Sequence, residues 1–392
     1  MSIRQLKISG FRSLADVIWN PGPLNLIIGT NGSGKSNLLR ALELLKSSAE
    51  GKLSDTVRKS GGMVPLMWDG RARKISLSCM FEKSPAKYYP VTYYLTLEQL
   101  GNSGGFQIER EELYDFNTDI SSDEGTLKFL QRAGNHAVVM NSLQTKQEID
   151  PQLVTDEETL LSQLSDSSSY PVLTASKRLI SNYSIYNEIQ VGLNSEMRRA
   201  AVSHRDLRIE PDGSNLISVL HTLYESDRYF KEDLNQAMKA AFGNEFEELV
   251  FPPAEDGRIQ LRVRWRSLQR GQSASDLSDG TLRFLFMITA LASPEPPPLI
   301  AIDEPETGLH PSMFPLVAEH AIDAARRTQI ILTTHAPQFL NAFRSRADIT
   351  TIAEWREGKT VLRRLSEIEL AKWLEHYQLG DLMLSGELES IE

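Results

Sequence analysis

One cysteine, Cys79, is all the thiol the chain carries. No disulfide can close within it and no thiolate metal site can be built, which suits a reducing compartment; Cys79 is expected to be a small buried hydrophobe. Long hydrophobic runs are missing too. No stretch approaches the roughly 20 apolar residues that a membrane-spanning helix requires, and no charged leader with an apolar stretch opens the sequence, so the expectation is a cytoplasmic protein with no membrane partner. Basic residues are outnumbered, 42 Lys and Arg against 52 Asp and Glu, for a net charge of -10. That excludes a uniformly basic coat, and any contact with DNA needs a local patch or a basic partner. There is neither a solenoid period nor a heptad run long enough for a coiled coil. What remains, 392 residues with 41% hydrophobic content, can bury one large core or two modest ones.

The chain opens with strands at Ile3 to Ile8 and Leu24 to Ile28, then a helix from about Gly34 to Lys46 that turns Leu38, Leu39, Leu42 and Leu45 inward. From Lys74 to about Leu113, alternating runs such as ISLSCMF and VTYYLTL predict antiparallel strands. Residues 114–170, rich in Ser, Asp, Thr and Glu, read as loops and short helices, with order around Ala137 to Met140 and Glu157 to Leu164. Residues 212–242 read as helix, capped by Asp212 or Ser214. Later come a helix at about Asp279 to Leu291, a buried strand at Leu299 to Ile302, a helix at about Ser312 to Ala325, a strand at Gln329 to Thr333 and a short helix after Pro337. That alternation is what a parallel sheet with helical crossovers requires. Ile349 to Trp355 and Thr360 to Leu365 flank Glu357-Gly358 as a hairpin, and Ser366 caps a last helix.

Between an apolar strand and a helix stands Gly29-Thr30-Asn31-Gly32-Ser33-Gly34-Lys35-Ser36, the pattern GxxxxGK[ST]. Its glycines let backbone N–H groups turn around phosphates, and the helix N-terminus adds partial positive charge. Lys35 is expected to reach β- and γ-phosphates and Ser36 to coordinate magnesium. The strand Leu299 to Ile302 ends in Asp303 and Glu304. Two carboxylates at a buried strand tip are costly without a cation, so Asp303 is expected to hold magnesium and Glu304 to orient and polarise a water. Leu277-Ser278-Asp279-Gly280-Thr281 opens a helix with a second anion-binding start, Ser278 and backbone N–H groups aimed at a negative ligand. Thr333-Thr334-His335 ends the next strand, where the imidazole could bond a γ-phosphate. Two phosphate-binding helix starts are hard to place on one nucleotide; they make sense if each serves a different nucleotide across a dimer.

In this order the motifs resemble the ABC-type ATPases: Gly29 to Ser36 as Walker A, Leu277 to Thr281 as signature, Leu299 to Glu304 as Walker B and His335 as switch histidine. Phe11-Arg12-Ser13, Thr30-Asn31-Gly32, Glu304 to Pro311 and the ending Leu379 to Glu387 are similar to the RecF-like and overcoming-lysogenization-defect-like branch. The resemblance implies an α/β ATPase head with a mainly parallel core sheet, an antiparallel β subdomain and a helical insert. Residues 1–113 would be the N-terminal part of the ATPase lobe, 114–257 the insert, and 258–392 the C-terminal part. It implies nucleotide contacts at Asn31, Gly32, Ser33, Gly34, Lys35, Ser36 and Asn37, and in trans at Ser278, Asp279 and Gly280. Lys35, Glu304 and His335 would be catalytic, and Ser36 and Asp303 would hold the metal. The signature departs from LSGGQ in being Leu-Ser-Asp-Gly-Thr, and His310 stands where many ABC proteins have aspartate. Without heptads there is no arm of the structural-maintenance-of-chromosomes kind, and residues 336–392 are fewer than a Toprim nuclease domain needs.

The function expected is an ATP- and Mg2+-dependent homodimer that hydrolyses ATP and switches a separate effector, a nuclease or toxin-like protein, or a DNA complex, in genome maintenance or anti-phage defence. A membrane-transporter subunit and a nearly silent scaffold remain alternatives. For DNA, Arg262, Arg264 and Arg266 alternate with apolar residues, which also fits a solvated strand face; Met197-Arg198-Arg199 and His204-Arg205 make a weaker basic cluster.

Overall fold

The computed structural model describes residues 2–82, 90–101, 104–115, 127–164, 166–254, 257–343 and 347–364. Two compact units divide the chain: the first holds residues up to Tyr183 together with Thr351–Arg364, the second Ser184–Thr350.

In the first unit β1 (Ile3–Phe11) and β2 (Leu14–Trp19) pair as an antiparallel hairpin, with Leu6 and Ile8 buried on one face. β3 (Leu24–Ile28) is buried along its whole length, the pattern of a strand covered on both faces. α1 (Lys35–Glu50) buries Leu38, Leu39, Leu42 and Leu45 and stops at Gly51, whose φ of 73° is the left-handed cap glycine favours. α2 (Leu53–Lys59) follows. β4 (Lys74–Phe81), β5 (Val91–Gln99) and β6 (Phe106–Asp115) extend the antiparallel sheet as their alternation predicts, with Cys79 buried.

The reading of 114–170 as loops and short helices is corrected here. β7 (Lys128–Ala133), β8 (His136–Met140) and β9 (Lys146–Ile149) continue the sheet in the order β2-β1-β4-β5-β6-β7-β8-β9. Segments such as KQEI are largely exposed, so they carry no apolar alternation to betray them. α3 (Leu160–Gln163) and α4 (Pro171–Ser181) pack on α1. The link to α3 is pinned by Arg132, which donates to the carbonyls of Gly134, Thr155 and Glu158. Glu111 accepts from the N–H groups of Leu160 and Leu161.

The second unit begins with β10 (Ser184–Tyr186) and β11 (Ala201–Val202). The stretch 212–242 is two helices, α5 (Leu216–Ser226) and α6 (Arg228–Phe242). Asn215, not Asp212 or Ser214, is the first cap, and the break falls at Asp227, whose carboxylate accepts from Phe230 N–H at 2.8 Å. β12 (Phe246–Val250), β13 (Arg258–Ile259), β14 (Arg262–Trp265) and β15 (Gln272–Ser273) are short; β12, β14 and β15 form one sheet and β11 pairs with β13. Arg264 lies opposite Glu248 and bonds it at 2.7 Å, the solvated strand face with a cross-strand partner.

α7 (Asp279–Ala292) buries Leu282 and Phe284 to Leu291, as a helix at the centre of a core must. β16 (Leu299–Asp303), α8 (Phe314–Ala324), β17 (Gln329–Thr334) and α9 (Pro337–Asn341) follow in the alternation read from the sequence. β10, β16 and β17 run parallel. The chain then returns to the first unit in the hairpin of β18 (Thr350–Arg356) and β19 (Lys359–Arg364), turned by Glu357 and Gly358 at positive φ. The cap at Ser366 and the stretch Leu379 to Glu387 lie outside the described residues. Among the described residues no helix is long and apolar enough to cross a membrane.

Candidate functional site

The predicted site residues fall in both units. In the first, the loop from Gly29 to Ser36 joins β3 to α1. Gly34 has φ 98°, and a Cβ there would overlap Thr360 Oγ1 and come 2.5 Å from Ser13 Oγ, so glycine is required for both reasons. Gly32 has φ 86° but open space around it, and Asn31 beside it is exposed. Lys35 is only 5% exposed, and its ammonium donates to the carbonyls of Gly29 at 2.6 Å and Thr30 at 2.9 Å. The Ser33 hydroxyl is buried with no hydrogen-bond partner among the described residues, and Ser36 is half-buried at the start of α1.

Ser13 and Thr360, which sequence reasoning did not single out for this task, hold the loop. Their hydroxyls are 2.7 Å apart, Thr360 Oγ1 lies 2.8 Å from Ser33 O, and Thr360 N–H donates to Ser13 O. Asn37 donates its amide to Ser13 Oγ at 2.8 Å, so this predicted contact residue is engaged in bracing the loop. Arg12, at φ 47°, has its guanidinium pKa lowered by burial and by Arg40, with Glu43 opposing.

In the second unit β16 ends at Asp303, whose carboxylate accepts from Thr333 Oγ1 on β17. Glu304 turns the chain at φ 48°, an uncommon conformation for a non-glycine residue, held by its N–H to Thr333 O at 3.2 Å and Oγ1 at 3.1 Å. The turn brings Glu304 Oε1 within 2.8 Å of His335 Nδ1, and both side chains stay about one-third exposed. Glu306 is 6% exposed; Oε1 accepts from Thr334 Oγ1 at 2.6 Å and from His335 N–H at 3.4 Å, while Oε2 has no partner among the described residues. Burial pushes its carboxyl above the usual range, against the Thr334 bond. Arg283 on α7 is lowered by burial, with Glu306 and Glu304 opposing. Two acids, an imidazole and a guanidinium thus share one place, and Glu306 and Arg283 are additions to the residues picked from sequence.

Ser278 caps α7, its Oγ accepting from Thr281 N–H at 3.1 Å. Ser278 and Asp279 are exposed and Gly280 half-exposed, at the start of a 14-residue helix. A Cβ on Gly280 would stand 2.9 Å from Gly308 O, so this helix start seats against the turn that follows the acids. His310 has a local task, accepting from Ser312 N–H at the turn before α8.

The family model described as "AAA domain, putative AbiEii toxin, Type IV TA system" matches residues 24–341. The chain belongs to this family. This AAA domain also resembles solved head domains of the Smc type. With the Smc head bound to the C-winged helix domain of ScpA it shares 16% identity over 95% of this chain and all of that one, at a TM-score of 0.59. An Smc head domain with an extended coiled coil, bound to the C-terminal domain of ScpA derived from Pyrococcus furiosus, is 14% identical over 95% of this chain and 98% of that one, at 0.55. These likenesses show the fold, the α/β head expected from the sequence, with parallel and antiparallel sheets. No curated protein matches the chain. The family makes this an AAA domain, with a fold like that of the Smc heads.

Proposed function

We propose that the chain binds ATP with Mg2+, hydrolyses it to ADP and phosphate, and pairs with a second copy around two nucleotides, the closed pair switching a partner. The observation that carries the reading is the carboxylate of Glu304, set on a left-handed backbone at a strand tip against His335. A general base needs a fixed, partly exposed carboxylate with an orienting neighbour, and this is one. Phosphates would lie on the N–H groups of Asn31 to Asn37 and on Lys35, drawn by charge and by the start of α1. The hydroxyl of Ser36 and the carboxylate of Asp303 are each the kind of oxygen donor magnesium prefers, and each is proposed as a ligand to it. When bound, the ion neutralises phosphate charge. Glu304 takes up a water proton, and His335 holds Glu304 and senses the γ-phosphate.

In the same proposal Ser278, Asp279 and Gly280 serve the second copy's nucleotide, because an exposed, capped helix start favours an anion. Residues 1–113 and 258–392 are the two parts of the ATPase lobe and 114–257 the insert. Phe11-Arg12-Ser13 and Glu304 to Pro311 support a place in the RecF-like and overcoming-lysogenization-defect-like branch. From it we take a cytoplasmic role in anti-phage defence or genome maintenance, with a separate nuclease or toxin-like effector. DNA would meet the chain at Arg262, Arg264 and Arg266, of which Arg262 bonds Gln260 and Arg264 bonds Glu248.

Light scattering of Glu304→Gln with and without Mg2+ and ATP tests the pairing. The mass doubles with ATP; a single-chain mass at every concentration removes the dimer. Phosphate release from wild type and Lys35→Ala tests the chemistry: equal rates from both would remove the phosphate loop from it.

A further inference from the structure

The sequence offered Arg198 as part of a basic surface cluster, and the structure corrects that. Its side chain is 5% exposed, and the residue ends a short turn, Glu196–Arg198, that Ser195 caps. Nε donates to the carbonyls of Val191 at 2.9 Å and Gly192 at 3.2 Å. Nη1 reaches the carbonyls of Ala274 at 3.2 Å, Ser275 at 3.2 Å and Leu277 at 2.7 Å. Nη2 pairs with the Asp279 carboxylate. The planar fork of an arginine has five N–H donors in fixed directions, and here it gathers a loop, the irregular segment before α7 and the first residue of α7 itself.

Two consequences follow for the helix start. Residues 274–277 have no β ladder beyond β15 to take up their carbonyls, and Arg198 supplies donors to three of them. Asp279 is the second consequence: a negative side chain on the first turn stabilises a bare helix but repels an anion arriving there. Its pairing with Arg198 offsets that charge where the capped start must receive phosphate.

We infer that Arg198 is a positioning residue for the Ser278 helix start, fixing its backbone and discharging Asp279 so that the start can take a second protomer's ATP. This rests on the paired reading proposed above. It makes the Val191–Gly192 loop part of that start.

The test uses full-length Glu304→Gln protein as parent and adds Arg198→Ala, Arg198→Lys, or Arg198→Ala with Asp279→Asn. Light scattering with Mg2+ and ATP reads pairing, and anisotropy of a fluorescent ATP analogue on dilute protein reads binding to a single chain. Arg198→Ala weakens ATP-dependent pairing about tenfold or more, the worth of hydrogen bonds to a charged group, and leaves single-chain binding within about twofold. Adding Asp279→Asn regains part of the pairing without raising the melting temperature, which a purely structural arginine would not produce. Should Arg198→Ala fail to fold, Arg198→Lys keeps a cation near Asp279 but loses the fork, and pairs less well than the parent. A parent that pairs while the folded Arg198 variants pair equally well overturns this inference alone. A parent that stays single overturns the paired reading and this one together.

Discussion

His335 Nδ1 lies 2.8 Å from Glu304 Oε1, joining the end of β17 to the turn after β16. In the proposed hydrolysis the two groups act as one unit, so that the loss of either leaves the other misaligned. Glu304→Gln and His335→Ala should each lower turnover about a hundredfold. The double variant should fall only a few-fold below the worse single one, because residues acting together are not additive. Phosphate release at saturating ATP measures this; an additive loss of about ten-thousandfold would show two independent roles.

Gly34 and Gly32 differ in what surrounds them. Alanine at Gly32 meets open space and should cost about 1–2 kcal/mol for the left-handed backbone alone. Alanine at Gly34 adds overlap with Thr360 and Ser13 and should cost about 3 kcal/mol or more. Urea unfolding of the two variants decides it, and equal losses would mean the loop moves aside freely.

The Ser13 and Thr360 hydroxyls brace the phosphate loop from residues far apart in sequence. Ser13→Ala or Thr360→Val should weaken ATP binding about tenfold, the scale of a buried hydrogen bond left unmade. Thr360→Ser should restore it. Calorimetric titration with Mg2+ and ATP reads the effect, and an unchanged Thr360→Val would leave the brace without consequence for binding.

Glu306 sets a pH dependence. Burial raises its carboxyl pKa in the folded chain above the ordinary 4.5, so the folded state keeps a proton that the unfolded chain releases. Its stabilising share is therefore full below that ordinary value and is lost as pH rises through the folded one. Glu306→Gln, neutral at every pH, should gain stability relative to wild type as pH rises above 4.5. Thermal melts of both proteins across that window check it; a constant difference would show that Glu306 titrates alike in both states.

The parts legible in the sequence were those in which one local pattern does the work. Gly29 to Ser36 stands between strand and helix, Leu299 to Asp303 is an apolar strand tipped by acid, and Glu357-Gly358 turns a hairpin, because glycine freedom, burial and capping act within a few residues. The antiparallel run from Lys74 could be read from alternation, whereas the exposed strand KQEI could not. The sequence points to Asp212 or Ser214 as the cap and passes over Asn215, since only the backbone conformation decides which residue precedes the first helical turn. Ser13 with Thr360, and Arg198 with the segment 274–279, were beyond reach: each pair is separated by scores of residues, and nothing near either partner marks it.

A Cβ added at Gly280 would stand 2.9 Å from the Gly308 carbonyl oxygen, so the beginning of α7 and the bend beyond Glu304 leave no room for a side chain there. Main chain lies against main chain, without a flexible side chain between them to absorb a shift. Glycine at 280 is thus a packing requirement of that junction: any side chain there would have to drive the bend away from the helix end.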